Sequence, residues 1–133
     1  MKQRIILSHD IEAEIAEAIS ECEHDRLFVL TDETTRDLCW PRIKDFLSLK
    51  NANVITIKAG DTNKNIDSTI SVWHSLQDGG ATRHSCLINL GGGMVTDLGG
   101  FAASTFKRGI DFINIPTTLL AMVDASVGGK TGV

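Results

Sequence analysis

Residues 86–97 have the sequence CLINLGGGMVTD, in which an apolar run leads directly into three consecutive glycines. The run before the glycines is typical of a buried strand, and the residues after them predict a helix. Such a turn can bind an anion, because glycine lets the backbone approach the ligand closely and the first helical N–H groups are free. We therefore expect Gly91, Gly92 and Gly93 to bind a phosphate-containing ligand. A purely structural turn is the alternative.

Outward from this segment, short apolar runs alternate with segments of helical periodicity. Strands are predicted at residues 2–7, 27–30, 54–57, 86–90 and 112–115. Helices are predicted at residues 11–19, 34–49, 66–76, 94–106 and 117–123. Pro41 lies inside the second helix, which predicts either a kink or a restart with proline in the first turn. This order predicts an α/β fold of Rossmann-like type, with a mostly parallel sheet covered by helices on both faces.

Polar segments follow four of the predicted strands. They lie at residues 31–34, 60–64, 91–97 and 116–118, and the first of them is predicted to form a turn. Ligands of parallel α/β sheets bind beyond the carboxyl ends of the strands. These segments therefore predict where a site would form.

Length and composition indicate one globular domain over residues 1–133. The chain is 42% hydrophobic and 23% charged, which is typical of a folded protein. Its net charge of −4 argues against nonspecific nucleic-acid binding, which needs a basic surface. No apolar run approaches the roughly 18–20 residues of a membrane span, and no signal peptide is predicted. Cys22, Cys39 and Cys86 are widely spaced, which predicts reduced thiols in a cytoplasmic protein.

Two familiar glycine motifs do not fit this sequence. The strict G-x-G-x-x-G pattern fails, because Thr96 takes the place of its third small residue and Asp97 comes too early to be its acidic residue. The GGKT sequence at residues 128–131 ends like a P-loop, but Asp124 stands where that motif needs its first glycine. A nucleotide triphosphatase is therefore not predicted.

Two further groups of polar residues are less specific. Lys107 and Arg108 follow an apolar helix, where they form either a last turn favoured by the helix dipole or a fork for a phosphate or carboxylate. The four histidines show no ligand spacing such as H-E-x-x-H. No metal site is therefore predicted within this chain.

Three blocks of the sequence together resemble the 3-dehydroquinate synthase family. They are GGGMVTDLGGFAA at residues 91–103, KRG at 107–109 and PTTLLAMVDASVGGKT at 116–131. The resemblance implies an enzyme of the shikimate pathway to aromatic amino acids, converting 3-deoxy-D-arabino-heptulosonate 7-phosphate to 3-dehydroquinate and phosphate. Family members use NAD for a transient oxidation that permits phosphate elimination, and re-reduction and an intramolecular aldol reaction follow. A divalent metal, zinc or cobalt, acts as a Lewis acid.

The resemblance also implies which residues bind the cofactor. Those against the pyrophosphate and the nicotinamide half of NAD are Gly91, Gly92, Gly93, Asp97, Thr117 and Thr118. Those on the adenosine side are Asp32, Asp61 and Lys64, with Asp32 on the ribose hydroxyls. The position of Asp61 is commonly glutamate in the family, so its shorter side chain is a departure from the pattern.

The substrate, a small sugar-acid phosphate, has three implied contacts. Asp124 would hold a hydroxyl near the reacting carbons, while Lys130 and Arg108 would bind the phosphate. In this family the arginine can come from the partner subunit, which implies a homodimer.

The chain is much shorter than members of the family, which carry a second, mainly helical domain with the metal ligands, one Glu and two His. We therefore expect a truncated N-terminal NAD-binding domain. It would be inactive alone and weak in NAD binding, because the other wall of the cleft is missing. Exposed apolar surface would favour dimers or higher oligomers.

Three other functions are compatible with this sequence. Two are enzymes: a related sugar-phosphate cyclase, and a metal-dependent alcohol dehydrogenase of similar architecture. The third is a stand-alone nucleotide-binding module. The KRG and GGKT blocks favour the synthase over the dehydrogenases, and a module without chemistry has no need of Asp124 and Lys130.

Overall fold

A five-stranded parallel sheet with helices on both faces forms the molecule. The computed structural model describes residues 3–5, 11–22, 24–58 and 66–117, with the backbone alone for residues 3–5. The strands are Gln3–Ile5 (β1), Leu27–Asp32 (β2), Asn53–Ile57 (β3), Cys86–Leu90 (β4) and Asp111–Ile115 (β5). The helices are Ile11–Glu21 (α1), Glu33–Leu38 (α2), Trp40–Ile43 (α3), Ile66–Asp78 (α4) and Gly93–Thr105 (α5). Short 3-10 turns cover Leu47–Leu49 and Phe106–Arg108.

The strands lie in the order β1-β5-β4-β2-β3, and each neighbouring pair is parallel. β4 is therefore central, and all of its residues are buried because helices cover both of its faces. Along β4, Ile88 packs on the side of α1 and Leu87 on the side of α4 and α5. This alternation follows the two-residue period of a strand.

Two hydrophobic layers hold the helices against the sheet. The first joins α1 and α3 to the sheet through residues such as Ile15, Ile43 and Val29. The second joins α4 and α5 through residues such as Leu76 and Ala102. Each buried Ile or Leu contributes about 1.5–3 kcal/mol of transfer free energy, so these two layers are the main source of stability.

The connections that follow β2 and β4 leave the sheet on opposite faces. After β2 the chain packs on the α1 face, where Ile43 and Leu49 are buried. After β4 it packs on the other face, through α5. Because β2 and β4 are neighbours, this divergence creates a topological switch point at their carboxyl ends, where open α/β sheets bind ligands. The predicted Rossmann-like α/β fold is confirmed.

Several predicted elements occur where the sequence placed them. β4 has the predicted bounds, and α1, α4 and α5 differ from the predicted ranges by a few residues at their ends. α4 ends just before Gly79 and Gly80, and Gly80 has a φ of 82°, a left-handed conformation that favours glycine and stops the helix. Within the described ranges, no helix combines the length and the hydropathy required to cross a bilayer.

The predicted turn at residues 31–34 is wrong. β2 continues to Asp32, and α2 begins at the next residue without an intervening loop. The backbone N–H of Thr35 donates to Oδ1 of Asp32 at 2.7 Å, and the N–H of Asp32 donates to Oγ1 of Thr35 at 3.0 Å. This reciprocal capping lets the chain pass directly from strand to helix.

The helical segment predicted over residues 34–49 restarts at Pro41, which was one of the two predicted alternatives, but it ends earlier than predicted. α2 ends at Leu38, α3 starts at Trp40 with Pro41 in its first turn, and a separate 3-10 turn follows. Proline has no N–H to continue the hydrogen bonds of the preceding helix, so the restart occurs there. The predicted helix at 117–123 lies outside the described residues, apart from Thr117.

Candidate functional site

The junction between β4 and α5 carries the three glycines. The N–H of Gly91 donates to the carbonyl of Ile115 at 3.2 Å, which ties the turn to the end of β5. Gly92 is the N-cap of α5 and provides no side-chain hydrogen bond, so the first turn of the helix lacks a side-chain cap. The positive end of the helix dipole is therefore accompanied by N–H donors that an anion can use.

The three glycines differ in what their surroundings require. A Cβ on Gly91 would lie 2.8 Å from Cβ of Val95, so packing excludes a side chain there. Among the described residues, a Cβ at Gly92 or Gly93 would meet nothing within 4 Å, and neither glycine has a positive φ. Neither packing against the described residues nor conformation explains glycine at these two positions. A ligand that closely approaches the backbone does explain it, and the site therefore fits a phosphate group.

A cleft of about 290 Å³ opens between the carboxyl ends of β4 and β5. It is lined by Gly91, Gly92, Gly93, Thr96, Asn114, Pro116 and Thr117. Binding sites for small ligands have volumes of roughly 300–1,000 Å³, so this cleft is large enough for part of a dinucleotide. The structure thus brings the predicted glycines together with the predicted Thr117.

Thr96 and Asn114 line the cleft without having been named as site residues, although Thr96 is inside the predicted segment 91–97. Thr96 lies one helical turn beyond Gly92, and its hydroxyl donates to the carbonyl of Gly92 at 3.2 Å. Asn114 is a buried polar residue in an otherwise apolar part of β5. An amide inside an apolar strand was the available signal, because buried polar groups require partners.

Asp32 lies on the other side of the glycine turn from Thr117. It ends β2, which is next to β4 on the side opposite β5. The carboxylate is half-buried, and its Oδ1 caps α2. Asp32 thus has a structural role that the sequence analysis did not assign to it.

Two further predicted site residues, Asp97 and Arg108, are described by the structure, and neither lines the cleft. Asp97 is exposed on α5 and does not line it. Arg108 follows the other end of α5, and a helix of 13 residues is about 20 Å long, so the same chain's Arg108 is remote from the glycine turn. Thr118, Asp61, Lys64, Asp124 and Lys130 lie outside the described residues.

The turn that carries Arg108 has an unusual backbone. The φ angles of Lys107, Arg108 and Gly109 are 47°, 71° and 106°, so three successive residues are left-handed. Left-handed conformations are unfavourable for residues with a Cβ, and the surrounding structure must maintain them. Both basic side chains are exposed there.

Groups with shifted pKa values lie away from the cleft. Burial raises the pKa of the Cys86 thiol, with a smaller contribution from Cys22. Hydrogen bonds from the hydroxyls of Thr82 and Ser85 lower the pKa of Asp25. All three cysteines are in described ranges and none forms a disulfide. Across those same ranges, no three His, Cys, Asp or Glu side chains are grouped to hold a metal ion.

Solved structures with a similar fold include sugar-phosphate cyclases and also maleylacetate reductase from Rhizobium sp., on which the chain superposes with a TM-score of 0.66 and 22% identity over 88% of this chain and 31% of that one. The chain superposes on 2-deoxy-scyllo-inosose synthase in complex with carbaglucose-6-phosphate, NAD⁺ and Co²⁺, with a TM-score of 0.74 and 22% identity over 86% of this chain and 31% of that one. It superposes on 2-epi-5-epi-valiolone synthase from Streptomyces hygroscopicus subsp. jinggangensis, with NAD⁺ and Zn²⁺ bound, with a TM-score of 0.70 and 30% identity over 100% of this chain and 37% of that one. The fold is therefore the Rossmann-like α/β domain that these enzymes, the sugar-phosphate cyclases among them, have in common.

Comparison with sequence relatives identifies the family within this class of proteins. The family profile described as 3-dehydroquinate synthase N-terminal matches residues 54–133. The 3-dehydroquinate synthase of Parabacteroides distasonis is 47% identical over 132 residues, which are 99% of this chain. The chain belongs to the 3-dehydroquinate synthase family. It spans 37% of the length of that relative.

Proposed function

We propose that this chain is the N-terminal NAD-binding domain of a 3-dehydroquinate synthase, with the pyrophosphate of NAD on the glycine turn. The observation that supports this most directly is the open space at Gly92 and Gly93, where nothing in the described structure requires glycine. The start of α5 supplies N–H donors and a favourable dipole for the phosphates. The family assignment indicates NAD among the phosphate-containing ligands, since the relatives' solved structures contain it.

The strand order supports a direction for the bound dinucleotide. Asp32 at the end of β2 and Thr117 after β5 lie on opposite sides of the glycine turn. The adenosine ribose would then contact Asp32 through the oxygen that does not cap α2, with Asp61 and Lys64 further along. The nicotinamide half would lie on the side of Thr117, with Thr118 and Asp97 nearby.

NAD and a divalent metal, zinc or cobalt, would supply the hydride transfer and the Lewis acid for the reaction. The metal ligands would come from residues beyond this chain. The role of this chain is to hold the cofactor and to place charge near the substrate. Asp124 would accept a hydrogen bond from a substrate hydroxyl, and Lys130 would neutralise the substrate phosphate.

The substrate proposed is 3-deoxy-D-arabino-heptulosonate 7-phosphate, converted to 3-dehydroquinate and phosphate in the cytoplasm. The position of Arg108 bears on how its phosphate is bound. Because Arg108 follows the far end of α5, it would reach a site of this kind in the partner subunit of a homodimer. Its exposed guanidinium provides the fork geometry that suits a phosphate.

The first experiment tests the glycine turn in the isolated chain. NAD is titrated into the ¹⁵N-labelled chain, and backbone amide shifts are followed by NMR, which detects millimolar binding. We expect shifts at Gly91, Gly92 and Gly93, together with an affinity weaker than micromolar, because this chain spans 37% of the length of its synthase relative and would supply only part of the cofactor site. Unchanged glycine amides at saturating NAD would reject the proposal, and submicromolar affinity would favour a stand-alone nucleotide-binding module.

The second experiment tests the enzymatic role. This chain replaces the matching segment of the Parabacteroides distasonis synthase, to which it is 47% identical. We expect the chimera to turn over the heptulosonate phosphate and the isolated chain not to do so. A folded chimera that binds NAD without turnover, or an isolated chain that is itself active, would contradict the proposed division of the site.

A further inference from the structure

Two buried amides meet between the central strands, next to the cleft. Asn89 of β4 and Asn114 of β5 are directly paired in the parallel register. Nδ2 of Asn89 donates to Oδ1 of Asn114 at 3.0 Å. Asn89 is fully buried and Asn114 is 8% exposed, so this hydrogen bond lies within the protein interior at the carboxyl end of the sheet.

Fold stability alone does not account for Asn89. Its Oδ1 is buried and has no hydrogen-bond partner among the residues that the structure describes. Space for this oxygen exists only because α5 has glycine at position 99, where a Cβ would overlap the Asn89 amide. An apolar side chain would avoid the unpartnered oxygen, as Leu87 does two residues earlier on the same face. The amide at position 89 therefore calls for an explanation beyond packing.

The orientation of Asn114 supplies that explanation. Since its Oδ1 accepts the hydrogen bond from Asn89, its Nδ2 is the polar end that remains. No hydrogen bond joins this nitrogen to any residue in the described part of the chain. Asn114 also lines the cleft, and it is the one lining residue with a side-chain nitrogen among those described. The hydrogen bond from Asn89 thus orients the Asn114 amide so that its Nδ2 can donate to a ligand in the cleft.

The neighbouring hydroxyl cannot replace this donor. Oγ1 of Thr96 donates to the carbonyls of Gly92 and Gly93, both at 3.2 Å. Its single proton is therefore shared between backbone acceptors, and Thr96 can only accept from a ligand. The NH₂ group of Asn114 has no such competition from the described residues.

We propose that Asn114 is a ligand-binding residue that donates from Nδ2 to an oxygen of the nicotinamide-nucleotide half of NAD, and that Asn89 is its positioning residue. This inference rests on the proposed function, because it assumes a dinucleotide on the glycine turn. The half is identified by strand order: Asn114 is on the β5 side of the turn, opposite Asp32. The acceptors in that half are the oxygens of the phosphate, the ribose and the nicotinamide carboxamide.

The test uses the two halves of the cofactor as separate probes. Nicotinamide mononucleotide and ADP are titrated individually into the ¹⁵N-labelled chain, and side-chain NH₂ signals are followed together with the glycine amides. We expect nicotinamide mononucleotide to shift the Asn114 NH₂ signal and ADP to leave it unchanged. Asn114→Asp keeps the shape but replaces the donor with a carboxylate, so it should weaken the binding of nicotinamide mononucleotide about fivefold to tenfold and the binding of ADP less than twofold.

Asn89→Ala tests the positioning role. Asn114 remains, but its amide loses its fixed orientation, so we expect about threefold weaker binding of nicotinamide mononucleotide and a smaller shift of the Asn114 NH₂ signal on its addition. The thermal midpoint should stay close to that of the unsubstituted chain, because the variant also removes an unpartnered oxygen. Asn53→Ala is the control, since Asn53 is an exposed amide on β3, an edge strand of the sheet.

The outcomes separate this inference from the proposed function. Glycine amides that respond to neither probe reject the nucleotide site itself. Glycine amides that respond while the Asn114 NH₂ signal does not move reject only the role of Asn114. Unchanged affinity in Asn89→Ala with a moved Asn114 signal rejects the positioning role alone. If Asn89→Ala fails to fold, Asn114→Asp still tests the donor.

Discussion

At the scale of single residues, Gly91, Gly92 and Gly93 are adjacent but are glycine for different reasons. Gly91 is required by the contact with Val95, whereas Gly92 and Gly93 border open space. Sequence patterns cannot separate these cases, because the three letters are identical. Only the positions of neighbouring side chains show which glycines serve the fold and which are available to a ligand.

Gly93→Ala should raise stability and reduce NAD binding. Gly93 is the first residue of α5, and alanine restricts the unfolded chain, so we expect the free energy of unfolding to rise by about 0.4–1 kcal/mol. The added methyl group occupies the space proposed for the pyrophosphate, so the NAD-induced amide shifts should be lost. Urea unfolding and the NMR titration provide the two measurements.

Gly91→Ala is the comparison variant. It should lower the free energy of unfolding by about 1–3 kcal/mol, because the new Cβ overlaps Val95. If alanine changed the free energy of unfolding equally at positions 91 and 93, or if Gly93→Ala kept the NAD-induced amide shifts, the different roles assigned to Gly91 and Gly93 would be contradicted.

The Cys86 thiol predicts a loss of stability at alkaline pH. Burial raises the pKa of this thiol in the folded chain, whereas an unfolded cysteine has a pKa of about 8.5. Above that pH the unfolded state loses the proton first, so the free energy of unfolding falls as pH rises. Below about pH 8.5 the thiol is protonated in both the folded and the unfolded state, so it does not make the free energy of unfolding depend on pH.

Urea unfolding under reducing conditions at pH 7.5 and 9.5 measures this effect. The Cys86 contribution to the decrease is about 1.4 kcal/mol, and Cys86→Ala should remove that part of the pH dependence. The same decrease in the variant as in the unsubstituted chain would show that Cys86 is not responsible.

Asp32 shows the limit of reading a residue's role from its place in a motif. Family resemblance implies a ribose ligand, yet its Oδ1 already accepts from Thr35 as the cap of α2. The pattern D-x-x-T was present in the sequence as a capping signal, but the predicted turn at 31–34 concealed it. A carboxylate has acceptor sites for both roles, so capping and ribose binding are compatible.

At the scale of elements, the contact between α5 and β4 depends on one small residue. Gly99 of α5 leaves room for the Asn89 amide. Gly99→Ala should therefore lower the free energy of unfolding by about 1–3 kcal/mol. In an Asn89→Ala background the overlap is gone, and the same change should become neutral or stabilising, since alanine is favoured over glycine in a helix by about 1 kcal/mol.

A double-mutant cycle of these two changes measures the coupling, and Gly100→Ala is the control. A Cβ on Gly100 would make ordinary contact with the Phe112 ring at 3.5 Å, so that variant should be stabilised by about 0.5–1 kcal/mol. Additive effects at positions 89 and 99 would show that the two residues are not in the contact described.

The elements that the sequence predicted best are those with strong local signals. β4 is a continuous apolar run before glycines, and α4 has a helical period that ends at two glycines. In the segment 34–49, Pro41 indicated a kink or a restart, but the helical period did not show that α3 ends at Ile43 and that a separate 3-10 turn follows. Periodicity reports which face is buried, and it is insensitive to a short break between two helices.

At the scale of the whole molecule, the length of α5 separates two groups that the sequence analysis assigned to one site. The glycine turn precedes α5 and Arg108 follows it, so the two are about 20 Å apart along the helix. Both can serve one active site if Arg108 comes from the partner subunit. This arrangement is testable by mixing two defective subunits.

Arg108→Ala in the chimera should reduce turnover about tenfold to a hundredfold, since a charge-assisted contact to phosphate is lost, and should leave NAD binding unchanged. Co-expression of Arg108→Ala with Gly93→Ala chimeras should restore up to about one quarter of the activity, because half of the dimers then contain one intact site. If Arg108 instead acts within its own chain, co-expression of the two variants should restore no activity.

The order of elements, the glycine turn and the family motifs were determined by the sequence alone, because each depends on residues close together along the chain. The strand order, the cleft between β4 and β5, and the Asn89–Asn114 pair were decided only by the tertiary structure. Those two asparagines are 25 residues apart, and they meet because β5 pairs with β4. Periodicity shows that a strand is buried, but which strand lies beside it depends on how all the helices cover the sheet at once.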